Sequence, residues 1–252
     1  MRELKHLEVT ESNLPDPSYN GALLPNLLTH LGINALSSTK VIRGRIPKLK
    51  KLVIQIELAR NTVEPLCCFG HLASLHRLES LKCIIVNPNS RLQVFVPIPP
   101  ILIFPLSLTK LTLNGLGFPW ETMSTIVVLS YLEVLKLQCY AFRGALWKAN
   151  DEHGFHKLKF LLIEDTDIEA WDASDVNLPS LERLIIRHCY KLKKIPEKFG
   201  DIGPLEMIRL DDCNPSLVAS TKDCTEKRPS SSKKLEVCVK SSVDDRKLKS
   251  HE

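Results

Sequence analysis

The sequence predicts an α/β solenoid of leucine-rich repeats, a horseshoe with a concave parallel sheet and irregular or short helical return segments. Three observations predict it. The pattern L-x-x-L-x-L recurs nine times, and its first position advances by 21 to 30 residues from copy to copy. Within a copy, the apolar spacing suits neither a lone helix nor a lone strand. In LPSLERLIIRHCYKLKKIP (178–196), Leu181, Leu184 and Ile186 are spaced three and then two apart, and Cys189, Leu192 and Ile195 follow at threes. A short strand with alternate residues facing inward, followed by a coiled return path, produces that mixture.

The copies run in order as Leu4, Leu7, Val9; Leu28, Leu31, Ile33; Leu49, Leu52, Ile54; Leu78, Leu81, Cys83; and Leu108, Leu111, Leu113. Then come Leu132, Leu135, Leu137; Leu158, Leu161, Ile163; Leu181, Leu184, Ile186; and Leu205, Ile208, Leu210. Each supplies a strand, and right-handed crossovers coil successive strands into one parallel sheet. Burying a Leu or Ile contributes about 1.5 to 3 kcal/mol, so a repeat offsets its backbone ordering only when neighbours cover both sides. The repeat domain is expected over 1–217, with a proline-rich insertion near 84–107. Residues 218–252 read as a mobile Ser- and Lys-rich tail in which LEVCVKSS is a candidate last strand. Leu4 is already a repeat position, which predicts an uncapped apolar first edge.

Composition narrows the function classes. With 252 residues, 44% of them hydrophobic, the chain has ample material for a core. Its net charge of +5 is spread over many residues of both signs, with much of the excess Lys and Arg near the C-terminus, and by itself does not argue for nucleic acid, which usually needs a concentrated basic face. MRELKHLEVTE is charged at once and has no signal-peptide core, and VPIPPILIFPLSL (96–108) is too short and too rich in proline to span a bilayer. The eight cysteines show no CxxC pair, and no N-x-[ST] acceptor with a non-proline middle residue occurs. A cytoplasmic, mostly reduced protein is expected.

The solvent face of the sheet falls on positions three, five and seven of each copy. From Leu49 onward, position three reads Lys51, Ser80, Lys110, Val134, Phe160, Arg183, Met207 and position five reads Val53, Lys82, Thr112, Lys136, Leu162, Ile185, Arg209. Basic residues never neighbour one another within either column, which avoids cross-strand repulsion. Position seven ends Glu164, Arg187, Asp211 and position eight ends Asp165, His188, Asp212. These rows of acid, base, acid read either as a ladder holding the last strands in register or as a recognition patch. As a patch, the partner-binding candidates are Phe160, Leu162, Glu164, Arg183, Arg187, His188, Arg209 and Asp211, with Arg187 and Arg209 expected to point to solvent.

Other candidates carry less. Cys189 and Cys213 share the position after the strand, where a thiol can satisfy inward backbone groups. Cys67 and Cys68 read as core residues rather than a redox switch. Trp120, Trp147 and Trp171 fall outside the repeat strands and are expected on the return side. His153 and His156 form an HxxH beside Asp151 and Glu152, but in a Gly-containing loop without a frame for a metal. No nucleophile, base and oxyanion donor can be grouped, so neither enzyme activity nor a cofactor or metal is expected.

The wording of three segments is more specific than the leucine pattern. LKKIPEKFGDIGPLEMIRLDDC (192–213), GFPWETMSTIVVLSYLEVLKL (117–137) and HGFHKLKFLLIEDTDIEAW (153–171) resemble the repeat region of intracellular plant disease-resistance receptors with nucleotide-binding and leucine-rich-repeat domains, in the late blight resistance group. The resemblance implies a protein-recognition and autoregulatory module whose partners are a pathogen effector or host guard protein and the parent receptor's nucleotide-binding domain. No GxxxxGK[ST] segment is present, so nucleotide hydrolysis is carried over to no residue. An alternative is the substrate-recognition repeat domain of a ubiquitin-ligase adaptor. A secreted inhibitory repeat protein is disfavoured by IPEKFG, where extracellular plant repeats favour LxGxIP.

Overall fold

In a computed structural model of the chain, the described residues are 3–12, 24–34, 46–56, 67–86, 102–149, 154–226, 228 and 234–242. They form a mostly parallel β architecture with few, short helices. The strands are β1 (His6–Ser12), β2 (Thr29–Asn34), β3 (Lys51–Ile56), β4 (Ser80–Ile85), β5 (Lys110–Asn114), β6 (Phe118–Pro119), β7 (Val134–Gln138), β8 (Phe142–Arg143), β9 (Leu146–Lys148), β10 (Phe160–Glu164), β11 (Ala170–Asp172), β12 (Arg183–Arg187), β13 (Met207–Asp211) and β14 (Glu236–Lys240). Each of the nine L-x-x-L-x-L copies carries one strand. The chain divides into two compact units, Met1–Phe118 with Ser124–Leu132, and Pro119–Met123 with Glu133–Glu252.

The first unit holds a parallel sheet in the order β1-β2-β3-β4-β5. Leu52, Leu81 and Leu111 are paired in register and turn the same way, each no more than 1% exposed. Phe69 packs edge-on against Phe104 and Phe118, with both ring centroids at 5.9 Å, and so closes the core behind the strands. Residues 87–101, most of the insertion expected near 84–107, lie outside the described residues, as do the side chains of Cys67 and Cys68.

The second copy departs from its reading. Leu27, rather than Leu28, is the fully buried first position, and His30 stands in register between Leu7 and Leu52. An irregularity between His30 and Ile33 restores the alignment of Ile33 with Ile54. An extra residue on one strand shifts the inward set by one, and no leucine pattern reveals that.

The second unit holds a parallel sheet in the order β7-β10-β12-β13-β14. Leu135, Leu161 and Leu184 share one register row and are fully buried. Its return segments contribute 3₁₀ turns at Trp120–Met123, Asp175–Asn177 and Glu197–Asp201. They also contribute β9 and β11, which pair in parallel so that Trp147 stands opposite Trp171. Trp120, Trp147 and Trp171 therefore stack, with centroids 4.9 and 4.7 Å apart and planes within 9°, and Phe199 closes the row edge-on at 4.9 Å. All three indoles are at most 6% exposed. They do pack on the return side, but Trp147 and Trp171 sit within short strands of their own.

A helix spans Pro215–Glu226, across the boundary placed at 217. Asn214 caps it, its side-chain oxygen accepting the Ser216 N–H at 2.9 Å, and proline occupies the first helical position. Leu217, Thr221 and Cys224 form its buried stripe at helical spacing. β14 then extends the sheet beyond β13, with Val237 and Val239 opposite Ile208 and Leu210. Val239 remains 45% exposed.

Candidate functional site

The candidate residues lie on β10, β12 and β13, whose alternation places positions three, five and seven on one sheet face. In register the rows read Phe160–Arg183–Met207, Leu162–Ile185–Arg209 and Glu164–Arg187–Asp211. Val134 and Lys136 extend the first two rows on β7.

The seventh-position row is a closed charge network. Asp211 accepts the Nε proton of Arg187 at 2.9 Å and that of Arg209 at 2.9 and 3.0 Å through its two oxygens. Glu164 accepts from the Gln138 amide and lies 3.9 Å from Arg187 Nη1. The Asp211 side chain is only 13% exposed, while those of Arg187 and Arg209 are about one-third exposed. Hydrogen bonding to Asp211 raises the Arg209 pKa above its already high ordinary value. Arg187 and Arg209 thus turn toward Asp211, where the sequence placed them toward solvent, because a pair of charged donors satisfies a nearly buried carboxylate.

The eighth position has a backbone property that the sequence reading missed. Cys139, Asp165, His188 and Asp212 all adopt positive φ, between 48° and 51°, immediately after their strands. This left-handed turn re-aims the chain, and each of the four N–H groups donates to a carbonyl on the neighbouring strand, as His188 does to Asp211 at 2.9 Å. Asp and His tolerate the conformation better than most residues, and Gly115 takes it in the first unit, so the residue types at this position were the available signal. His188 also lies between two carboxylates, with Nδ1 3.5 Å from Asp165 and Nε2 3.8 Å from Asp212. Its ring packs on Tyr190 with centroids at 6.3 Å.

Below this edge, Cys189 Sγ lies 3.2 Å from the Arg187 carbonyl and 3.8 Å from that of Ile163. Cys213 Sγ approaches the Ile186 carbonyl at 3.3 Å. Both thiols supply the inward donor expected of this position. Burial, reinforced by Cys213, pushes the Cys189 thiol up to about 12, and burial raises Cys213 as well. None of the six cysteines with described side chains forms a disulfide.

The remaining candidates separate into available and unavailable. Leu162 is 5% exposed, so it contributes packing and offers no anchor to a partner. In the middle of the sheet, Lys136 and Ile185 flank it in register. Phe160 is half-buried and carries Lys136 Nζ 5.5 Å from its ring centroid. Arg183 is exposed, and no described residue bonds or pairs with its guanidinium.

Elsewhere, His153, Asp151 and Glu152 of the HxxH segment lie outside the described residues. Among the described residues, no group of three or more His, Cys, Asp and Glu could hold a metal ion, and no helix is long and apolar enough to cross a membrane.

No protein-family model matches the chain. Among curated proteins it is similar to a putative late blight resistance protein homolog of Solanum demissum, with 31% identity over 236 residues, covering 90% of this chain and 17% of that protein. A second putative late blight resistance protein homolog of the same plant is 33% identical over 193 residues, covering 76% of this chain and 14% of that protein. Late blight resistance protein R1-A, also from Solanum demissum, is 30% identical over 217 residues, covering 82% of this chain and 15% of that protein. The chain spans about a sixth of the length of these relatives. Over most of its residues the chain is a homologue of the late blight resistance proteins.

Proposed function

We propose that this chain is the protein-recognition and autoregulatory leucine-rich-repeat module of an intracellular plant immune receptor, coiled as a horseshoe solenoid and working without catalysis in the cytoplasm. A pathogen effector or a host guard protein is its recognised partner, and the nucleotide-binding part of the parent receptor is the partner it restrains. One observation carries this reading. A register-aligned set of side chains on β10, β12 and β13 offers aromatic, apolar and charged groups on a single sheet face, in a chain homologous to resistance proteins. Such a face loses little ordering entropy on contact, and a module of this kind acts by differential contacts in the resting and activated receptor.

Leaf tissue offers the test. The segment of R1-A that matches this chain is replaced by it, and cell death is scored with and without Phe160→Ala. Altered restraint or altered recognition, changed again by Phe160→Ala at equal protein accumulation, supports the reading. Wild-type behaviour from both swapped receptors rejects it.

A further inference from the structure

The three arginines of the candidate face are not equivalent. Arg187 and Arg209 both donate to Asp211, whereas Arg183 sits in a row whose neighbours on either side are Phe160 and Met207. The row holds Val134 beyond Phe160 and Glu236 beyond Met207, so no carboxylate flanks Arg183 directly. Glu182 and Glu206 stand one position earlier, at the strand starts. The described part of the second unit thus offers an exposed guanidinium between two half-buried apolar side chains, with the Lys136 ammonium over the phenyl ring, 5.5 Å from its centroid.

We propose that this row docks an acidic segment of a partner protein, with a carboxylate taken in the fork of Arg183 and an adjacent apolar side chain seated over Phe160 and Met207. The inference rests on the recognition reading above and adds the chemistry of the partner. Charge complementarity favours the acid: among the described residues of β7, β10, β12 and β13, the cations without a carboxylate partner are Arg183 and Lys136. A planar guanidinium suits a carboxylate because two parallel N–H groups meet its two oxygens. Phe160 and Met207 shield that pair from water, the arrangement in which an arginine dominates binding energy.

The intact chain is presented to a combinatorial array of immobilised nine-residue peptides containing acidic, basic and neutral members. Retained peptides are expected to be enriched in Asp or Glu beside Leu, Met or Phe. Arg183→Gln should lower their retention about ten-fold at an unchanged melting temperature, the loss expected for one charge-assisted pair. Arg183→Lys should restore part of it, and raising the salt from about 0.05 to 0.5 M should weaken it several-fold. If peptides are retained through Phe160 but show no acidic preference, or if Arg183→Gln retains them equally, the carboxylate inference fails while the recognition face stands. Retention of basic peptides, of a nucleic-acid probe, or of nothing overturns it outright.

Discussion

Arg187 donates its Nε proton to Asp211 at 2.9 Å, directly across the β12–β13 pair. Asp211 is nearly buried and its two partners are about one-third exposed, so the network lies between two regimes. Exposed pairs contribute about 0–1 kcal/mol, and breaking a buried one costs about 3–5 kcal/mol. Asp211→Ala is therefore expected to destabilise the second unit by about 2 kcal/mol in urea unfolding, with a coupling energy to Arg187→Ala above about 1 kcal/mol. Additive effects would show that the pair is ornamental. Arg187→Glu with Arg209→Glu would crowd new carboxylates around Glu164 and Asp211, so any loss of partner binding in that variant should track a lowered melting point.

Position eight tests backbone strain at Cys139, where φ is 50° and the thiol reaches the Asp165 carboxylate only at 4.0 Å. A left-handed conformation costs an L-residue about 1–2 kcal/mol, and glycine is spared most of that cost. Cys139→Gly should leave stability unchanged or raise it by up to about 1 kcal/mol, whereas Cys139→Val should lower it by about 1–2 kcal/mol. Equal melting points for the two variants would mean that the turn relaxes freely.

The Trp120–Trp147–Trp171 row predicts a spectroscopic and an energetic result. Trp147 is 3% exposed between two parallel indoles, and Trp→Ala in such a site costs about 3–5 kcal/mol. Trp147→Phe should keep most of the stability and lose the coupled indole signal in the aromatic circular dichroism. An unaltered spectrum in Trp147→Phe would contradict the stacking.

Cys189 gives a prediction in pH. Its folded thiol titrates at about 12, against an ordinary 9.0, so above pH 9.0 the folded state holds a proton that the unfolded state releases. The stability tied to the buried neutral thiol is complete below about pH 9 and is lost as pH rises from there toward about 12, by up to about 4 kcal/mol. Denaturant midpoints for the wild type should fall over that window, and less steeply in Cys189→Ala. In native protein at about pH 8, where even a free thiol is only partly ionised, iodoacetamide should spare Cys189, and alkylation there would refute its burial.

The recurrence of Leu135, Leu161 and Leu184 at repeat spacing was enough to specify one strand per copy, because period-two burial over a short run admits a single inward face. The same positions named the row Glu164, Arg187, Asp211, since equal positions of parallel strands must stack. What sequence alone left open was which side chains that row would consume. Asp211 binds Arg187 across the sheet as well as Arg209 on its own strand, and Leu162 disappears between its neighbours, because pairing and burial between strands depend on reach across elements that the linear order separates by more than twenty residues. The shift from Leu28 to Leu27, with His30 in a leucine row, was likewise decided by an irregular strand pairing. The helix Pro215–Glu226 was hidden by its polar run, read as the start of a mobile tail, and its stripe of Leu217, Thr221 and Cys224 is buried only because the fold covers it. Arg183 stands apart for the same tertiary reason: its column neighbours Phe160 and Met207 offer no charge, so the fold leaves its guanidinium open to solvent.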